Sequence, residues 1–241
     1  MGIRYRVATA IQGLARLVYD PKDGNVADRE CPICDYTGEF APFGLYFRRP
    51  DVICPECGAF ERQRLLKLCL QQDGMTPGGR CLHFAPETST RSVVEPYCSD
   101  YVTADLQLET VDLNINIEAT GLPDEDFDTI ICFHVLEHVD HNKALAELYR
   151  ILRPGGVAYL AVPIVEGLDT TYEDPSITEP SQRLLHFQQT DHTRLFGRDF
   201  RGFVRRAGFD LVEFAADPAD CARYGLIPGE RVFIARKPIS P

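Results

Sequence analysis

GLPDEDFDTIICFHVLEHVDHNKALAELYRILRPGGVAYLAVP, residues 121–163, holds two apolar runs with a helical pattern between them. Thr129–Phe133 is a short, continuous run rich in β-branched and aromatic residues, which predicts a buried strand. Residues 142–152 place alanines, leucines and an isoleucine at helical spacing, which predicts an amphipathic helix. Pro154, Gly155 and Gly156 then break the chain, and Val157–Val162 reads as a second strand. Strand, helix and strand in this order predict parallel pairing through a right-handed crossover.

The same alternation extends from residue 80 to the C-terminal part. Strand patterns lie at Arg80–Phe84, Tyr101–Ala104, Phe209–Phe214 and Arg231–Ala235, with further helices at Thr90–Tyr97 and Asp199–Arg206. This predicts an α/β, Rossmann-like, doubly wound parallel sheet. Such sheets bind ligands beyond the carboxyl ends of their strands, which directs attention to the residues after Phe84, Ala104 and Phe133. Asp105 stands at the second of these ends, where a carboxylate accepts ribose hydroxyls or simply forms a turn.

Leu122-Pro123, Phe127-Asp128, Leu136-Glu137-His138 and Leu152-Arg153-Pro154-Gly155-Gly156 together resemble the class I S-adenosylmethionine-dependent methyltransferases of the small-molecule type. The resemblance covers about residues 80–236. It implies S-adenosylmethionine as cofactor and places it against the ends of the first, second and fourth sheet strands. The family's usual acidic residue and glycine-rich loop are replaced here by His83 and Ala85-Pro86-Glu87. Ala85 permits close backbone approach, and Glu87 supplies the anion that His83 cannot, unless it is only a helix-start carboxylate. His83 is equally read as a hydrogen-bonded core residue. Asn116 and Ile117 fall in the segment that resembles the adenine loop.

On the acceptor side, the resemblance places His134 beside the transferred methyl group, as a base or as a lining residue. Asp191 and His192 form an acid–imidazole neighbour pair with Arg194 close by, and His192 is the leading candidate for a base or substrate ligand. His138 either meets substrate, orients its loop or caps the next helix; His186 is read as exposed. Residues 164–183 are long, polar and acidic, which predicts a lid, with Tyr172 touching substrate or cofactor, or else a surface insertion.

CPIC at 31–34 and CPEC at 54–57 are separated by 19 residues that carry a hairpin pattern. Cys31, Cys34, Cys54 and Cys57 match a four-cysteine zinc ribbon, in which a closed four-thiolate set holds structural Zn2+ and supplies folding energy. Gly58 suits the tight turn after the second pair; Asp35 departs from it. The remaining cysteines, Cys69, Cys81, Cys98, Cys132 and Cys221, read as reduced, buried thiols of a cytoplasmic protein.

The chain has 241 residues and a net charge of -11, with the acidic excess confined to the region after the ribbon. That charge repels a phosphate backbone and counts against nucleic acid as partner. No apolar run approaches the ~18 residues of a membrane span. Ile11, Leu14, Leu17 and Val18 recur at helical spacing and predict an amphipathic docking helix. The organisation expected is therefore a lead-in over 1–27, a zinc ribbon with its connecting helix over 28–75, and a methyltransferase domain over 76–241 with a lid around 164–195. The function expected is methyl transfer to a small-molecule or carbohydrate-like acceptor, at oxygen. The alternatives are an rRNA or tRNA methyltransferase that uses the ribbon on RNA, and a non-catalytic S-adenosylmethionine-binding protein.

Overall fold

A computed structural model describes residues 28–43 and 49–239. The helix expected over Ile11–Val18 lies outside them. In chain order the elements are β1 (Arg29–Glu30), β2 (Thr37–Gly38), β3 (Ala41–Phe43), β4 (Arg49–Ile53), α1 (Glu61–Leu70), β5 (Arg80–Phe84), α2 (Thr88–Val94), β6 (Asp100–Asp105), β7 (Leu113–Asn114) and β8 (Phe127–Phe133). There follow α3 (His141–Ile151), β9 (Leu152–Ala161), β10 (Tyr172–Glu173), α4 (Pro180–Phe187), β11 (Arg194–Leu195), α5 (Phe200–Arg206), β12 (Asp210–Phe214), α6 (Pro218–Tyr224) and β13 (Val232–Arg236).

Seven strands form one sheet in the order β7-β6-β5-β8-β9-β13-β12. Numbered by their own sequence order, they run 3-2-1-4-5-7-6. β5 pairs in parallel with β6 on one side and β8 on the other, so the strand order reverses direction at β5. β13 pairs antiparallel with β9, against the all-parallel expectation. Alternation of strand and helix reveals that a helix intervenes, not that it crosses the sheet. The helix before β13, α6, belongs to the other compact unit.

Helix α3 shows why residues 141–151 fold as they do. Asp140 caps it, its carboxylate accepting the N–H groups of Asn142 and Lys143 at 3.1 and 3.2 Å. Ala144, Leu145, Leu148 and Ile151 form one fully buried stripe in the core with Leu82, Phe127 and Ile130. Each such leucine or isoleucine contributes about 1.5–3 kcal/mol. Gly156 lies within β9 where a Cβ would stand 2.9 Å from the Asp128 carbonyl, so the strand accepts no side chain there.

The chain divides into two compact units. Among the described residues, one comprises 77–86, 97–213 and 233–239 and contains nearly all of the sheet. The other comprises 28–43, 49–76, 87–96 and 214–232. The expected boundary near residue 75 matches the first break, but α2 and α6 join the cysteine-bearing unit from further along the chain. Among its contacts, buried Arg64 donates to the carbonyls of Val52, Ala59, Tyr224 and Gly225, tying β4 and α1 to the end of α6.

One cysteine expectation is overturned: Cys81 and Cys98 form a disulfide. Parallel register sets Arg80 opposite Asp100, and Ser99 donates to the Gly79 carbonyl, so the return from α2 brings Cys98 beside Cys81. Cys69, Cys132 and Cys221 are buried and form no disulfide, as expected.

Candidate functional site

The carboxyl edge of the parallel strands carries two residues in an unusual conformation. Ala85 and His134, the residues that follow β5 and β8, both have left-handed backbones, with φ of 49° and 55°. Each donates its N–H to a carbonyl at the end of the adjoining strand: Ala85 to the penultimate residue of β6, Ala104, and His134 to the last residue of β9, Ala161. The chain is thereby turned sharply out of the sheet at two neighbouring strand tips. Such strain in non-glycine residues concentrates at functional sites. Neither residue type signals it in the sequence.

Asp105 ends β6 at the same edge. Its Oδ1 accepts the N–H groups of Gln107 and Leu108 at 2.7 and 2.9 Å, while Oδ2 makes no hydrogen bond. One carboxylate oxygen forms the turn, as the turn reading expects, and the other makes no hydrogen bond. Asn116 is exposed, its side chain accepting from the Glu118 N–H at 2.9 Å. Ile117 packs into the core, 5% exposed, which leaves its backbone rather than its side chain for an adenine.

His83 and Glu87 are engaged elsewhere. His83 is 1% exposed and its Nδ1 meets the Tyr101 hydroxyl at 2.5 Å; it is the core histidine of the two readings. Glu87 lies in the cysteine-bearing unit, where Arg62 and Gln63 both bind its carboxylate. Its charge is neutralised by that ion pair, which corrects the expectation of an anion reserved for a cofactor.

On the turn between β8 and α3, Glu137 is 1% exposed. Its Oε1 lies 3.2 Å from His134 Nδ1, and its Oε2 is buried without a partner. Burial favours the neutral acid, but the His134 hydrogen bond and the charges of His134 and His138 outweigh it and hold the carboxyl below its usual range. His134 Nε2 is likewise buried and unpartnered.

The loop after α4 brings His192 to this turn. Its ring lies edge-on to His138, with centroids 4.8 Å apart. His192 Nδ1 donates to the Phe187 carbonyl at 3.1 Å, and burial holds the imidazole below its usual range, with Glu137 opposing. Asp191 faces His138 rather than His192: its Oδ2 is 3.7 Å from His138 Nδ1 and its carbonyl 3.2 Å. His138 thus contacts the loop that bears Asp191, and the cap of α3 is Asp140. Arg194, expected at the substrate, is 8% exposed and committed to the Glu173 carboxylate and the Leu136 and Val139 carbonyls. It fastens β11 and β10 to the Glu137 turn.

The expected lid is an ordered excursion. β10 pairs antiparallel with β11, and α4 lies between them, where a long loop was expected. Tyr172 is 39% exposed and donates to or accepts from His186 Nδ1 at 2.6 Å.

In the other unit the sulfurs of Cys31, Cys34, Cys54 and Cys57 gather, all within 4.8 Å of one another. Cys31–Cys57 and Cys34–Cys54 sulfur pairs are 3.6 Å apart. Four sulfurs around a tetrahedral ion at about 2.3 Å would stand ~3.8 Å apart, so the set fits one. The two loops are built alike. Asp35 and Gly58, each following a CxxC pair, donate to the first cysteine's carbonyl and have φ of 59° and 73°. Hydrogen bonds from Cys54 and Cys57 pull the Cys31 thiol down and push their own up.

Residues 80–160 match the protein family described as a methyltransferase domain. In solved structures, the chain is similar to the YcgJ protein of Bacillus subtilis, with a TM-score of 0.51 and 15% identity, covering 73% of this chain and 99% of that one. The fold is a methyltransferase fold. It is also similar to the 1,6-didemethyltoxoflavin-N1-methyltransferase of Burkholderia thailandensis bound to 1,6-didemethyltoxoflavin and S-adenosylhomocysteine. There the TM-score is 0.50 and the identity 16%, over 73% of this chain and 78% of that one. Over 113 residues the chain is 44% identical to the ubiquinone/menaquinone biosynthesis C-methyltransferase of Pectobacterium carotovorum. That match takes in 41% of this chain and 45% of the relative, so the chain spans less than half of the relative's length. The methyltransferase match includes Ala85, Asp105, His134, Glu137 and His138. His192, the lid and the four clustered cysteines lie outside it.

Proposed function

We propose that this protein transfers the methyl group of S-adenosylmethionine to an oxygen of a small-molecule acceptor, and that its four clustered cysteines hold a structural zinc ion. The observation that carries the reading is the methyltransferase match over residues 80–160, whose strand ends present Ala85, Asp105 and His134 along one edge of the sheet. S-adenosylmethionine supplies an activated methyl carbon on a sulfonium. Asp105 Oδ2 accepts a ribose hydroxyl, and the left-handed turn at Ala85 lets the backbone approach the amino-acid part. The loop at Asn116 and Ile117 borders the adenine.

During transfer a new oxygen–carbon bond forms as the carbon–sulfur bond breaks, and the electron pair goes to sulfur. The proton of a hydroxyl acceptor must leave. His134 Nε2 is the acceptor for it, because Glu137 receives Nδ1–H and stabilises the imidazolium. This imidazole, backed by a buried carboxylate, is why a hydroxyl is preferred here to a nucleophile that needs no base. His192 keeps a neutral ring on the acceptor side. Tyr172, exposed on the lid, completes that side, and Arg194 positions both without touching the acceptor.

Zinc in the four-cysteine set has no open position and would hold the two CxxC loops together rather than catalyse. Calorimetry with S-adenosylmethionine tests the reading. Micromolar binding that Asp105→Ala weakens at least tenfold is expected; no binding to the wild-type chain overturns it. A screen of hydroxylated acceptors followed by S-adenosylhomocysteine release then separates an enzyme from a protein that only binds the cofactor.

A further inference from the structure

We infer that Glu137, His138 and His192 form a second metal site, a mononuclear centre for a divalent first-row cation with open positions for an acceptor oxygen. One ligand atom from each of the three lies within 4.8 Å of the others. Hydrogen bonding identifies which atoms are available. A carbonyl oxygen only accepts, so His138 Nδ1 donates to the Asp191 carbonyl and His192 Nδ1 donates to the Phe187 carbonyl. In the neutral form of either ring the lone pair is therefore on Nε2, which makes no hydrogen bond. Metal-binding histidines characteristically give their other N–H to a carbonyl or carboxylate in this way. Glu137 adds a carboxylate whose Oε1 faces His134 and whose buried Oε2 has no partner. An ionised oxygen out of water and without a hydrogen bond is costly unless a cation meets it.

The surrounding backbone fixes this arrangement. Thr193 donates both its N–H and its hydroxyl to the Glu137 carbonyl, each at 3.0 Å, which locks the His192 loop to the turn bearing the other two ligands. Arg194 adds a bond to the neighbouring Leu136 carbonyl at 3.0 Å. Two imidazoles and one carboxylate suit zinc, iron(II) or cobalt(II) rather than magnesium or calcium, and three protein ligands leave room for exogenous oxygen. The site differs from the four-cysteine cluster in both respects. That the open position takes the acceptor hydroxyl rests on the methyl-transfer reading. There the cation would lower the hydroxyl's pKa, and the proton would pass to His134 while the metal kept its charge.

The test is a cobalt titration of the full chain after metal removal. Cobalt in the four-thiolate set gives intense sulfur-to-metal charge transfer. A second equivalent giving only weak d–d absorption, without added charge transfer, is expected in the wild type. His192→Gln and Glu137→Gln should each bind one equivalent. A single equivalent in the wild type, or two in both variants, overturns the site. Far-ultraviolet circular dichroism verifies that each variant is folded, and the more accessible His138→Gln provides a third variant should the buried ones fail. Calorimetry with S-adenosylmethionine on the same samples separates the two readings. Two equivalents without cofactor binding keep the metal site and remove the enzyme; cofactor binding with one equivalent does the reverse.

Discussion

Asp35 and Gly58 occupy matching positions in the two cysteine loops, yet only glycine enters the left-handed region without steric cost. Asp35→Gly is expected to stabilise the protein by about 1 kcal/mol, read from a urea midpoint at unchanged slope. His141 presents the opposite case. It is 3% exposed, both ring nitrogens lack partners, and it lies edge-on against Phe196 and Phe203. Burial and then the Arg194 charge lower its pKa, against the opposing charges of Glu173, Asp140 and Asp199. Above about pH 6.5 the ring is neutral in both folded and unfolded chains and contributes no pH dependence. Below that, the unfolded chain takes up a proton that the folded one refuses. Stability therefore falls by up to about 1.4 kcal/mol per pH unit until the folded pKa is reached. His141→Phe should raise the melting temperature and flatten its decline between pH 7 and pH 5; an unchanged slope would show that other groups carry it. The turn after the second CxxC was legible because glycine announces it. The left-handed residues Ala85 and His134 were not, since packing rather than residue type imposes their conformation.

Elements differ in how far their ends announce them. α3 was read almost to the residue, because an amphipathic stripe and a Pro-Gly-Gly break bound it. α6 carries the same kind of signals, with Asp217 as cap, Pro218 in the first turn and Gly225 in the left-handed terminal position, but no periodic apolar stripe drew attention to it. β7 is two residues long and has no periodicity to detect. The segment at residues 164–183 was expected as a loop from its length and polarity, and its helix was missed because α4 buries only Phe187. What holds this excursion is Arg194, which bridges β10, β11 and the Glu137 turn. Arg194→Ala leaves the buried carbonyl of Leu136 without its charged donor and should cost about 2–3 kcal/mol. Hydrogen exchange at residues 172–173 and 194–195 should accelerate ahead of exchange in β8 and β9. Equal acceleration in all four would show that Arg194 serves the sheet as a whole.

At the scale of the molecule, the α/β class followed from strand and helix alternation and from the block at residues 121–163, whereas the antiparallel β13 did not. The Cys81–Cys98 link did not, because pairing depends on which strands become neighbours. The link closes a loop with a sequence separation of 17 residues. Cys98→Ser is thus expected to cost about 3 kcal/mol under oxidising conditions and little in the presence of a reductant, by denaturant unfolding. Removing metal from the four-cysteine set should release hydrogen-exchange protection around residues 31–36 and 54–59 and leave β8 and β9 protected. Retention of protection at both loops would show that they fold unaided. The cysteine-bearing unit draws on three separate stretches of chain, the last ending at residue 232. During translation, then, Arg64 can reach the Val52 and Ala59 carbonyls early but must wait for those of Tyr224 and Gly225, made about 160 residues later. A nascent chain stalled before Tyr224 would leave half of that arginine's partners unmade, so this unit closes late although its cysteines are made early.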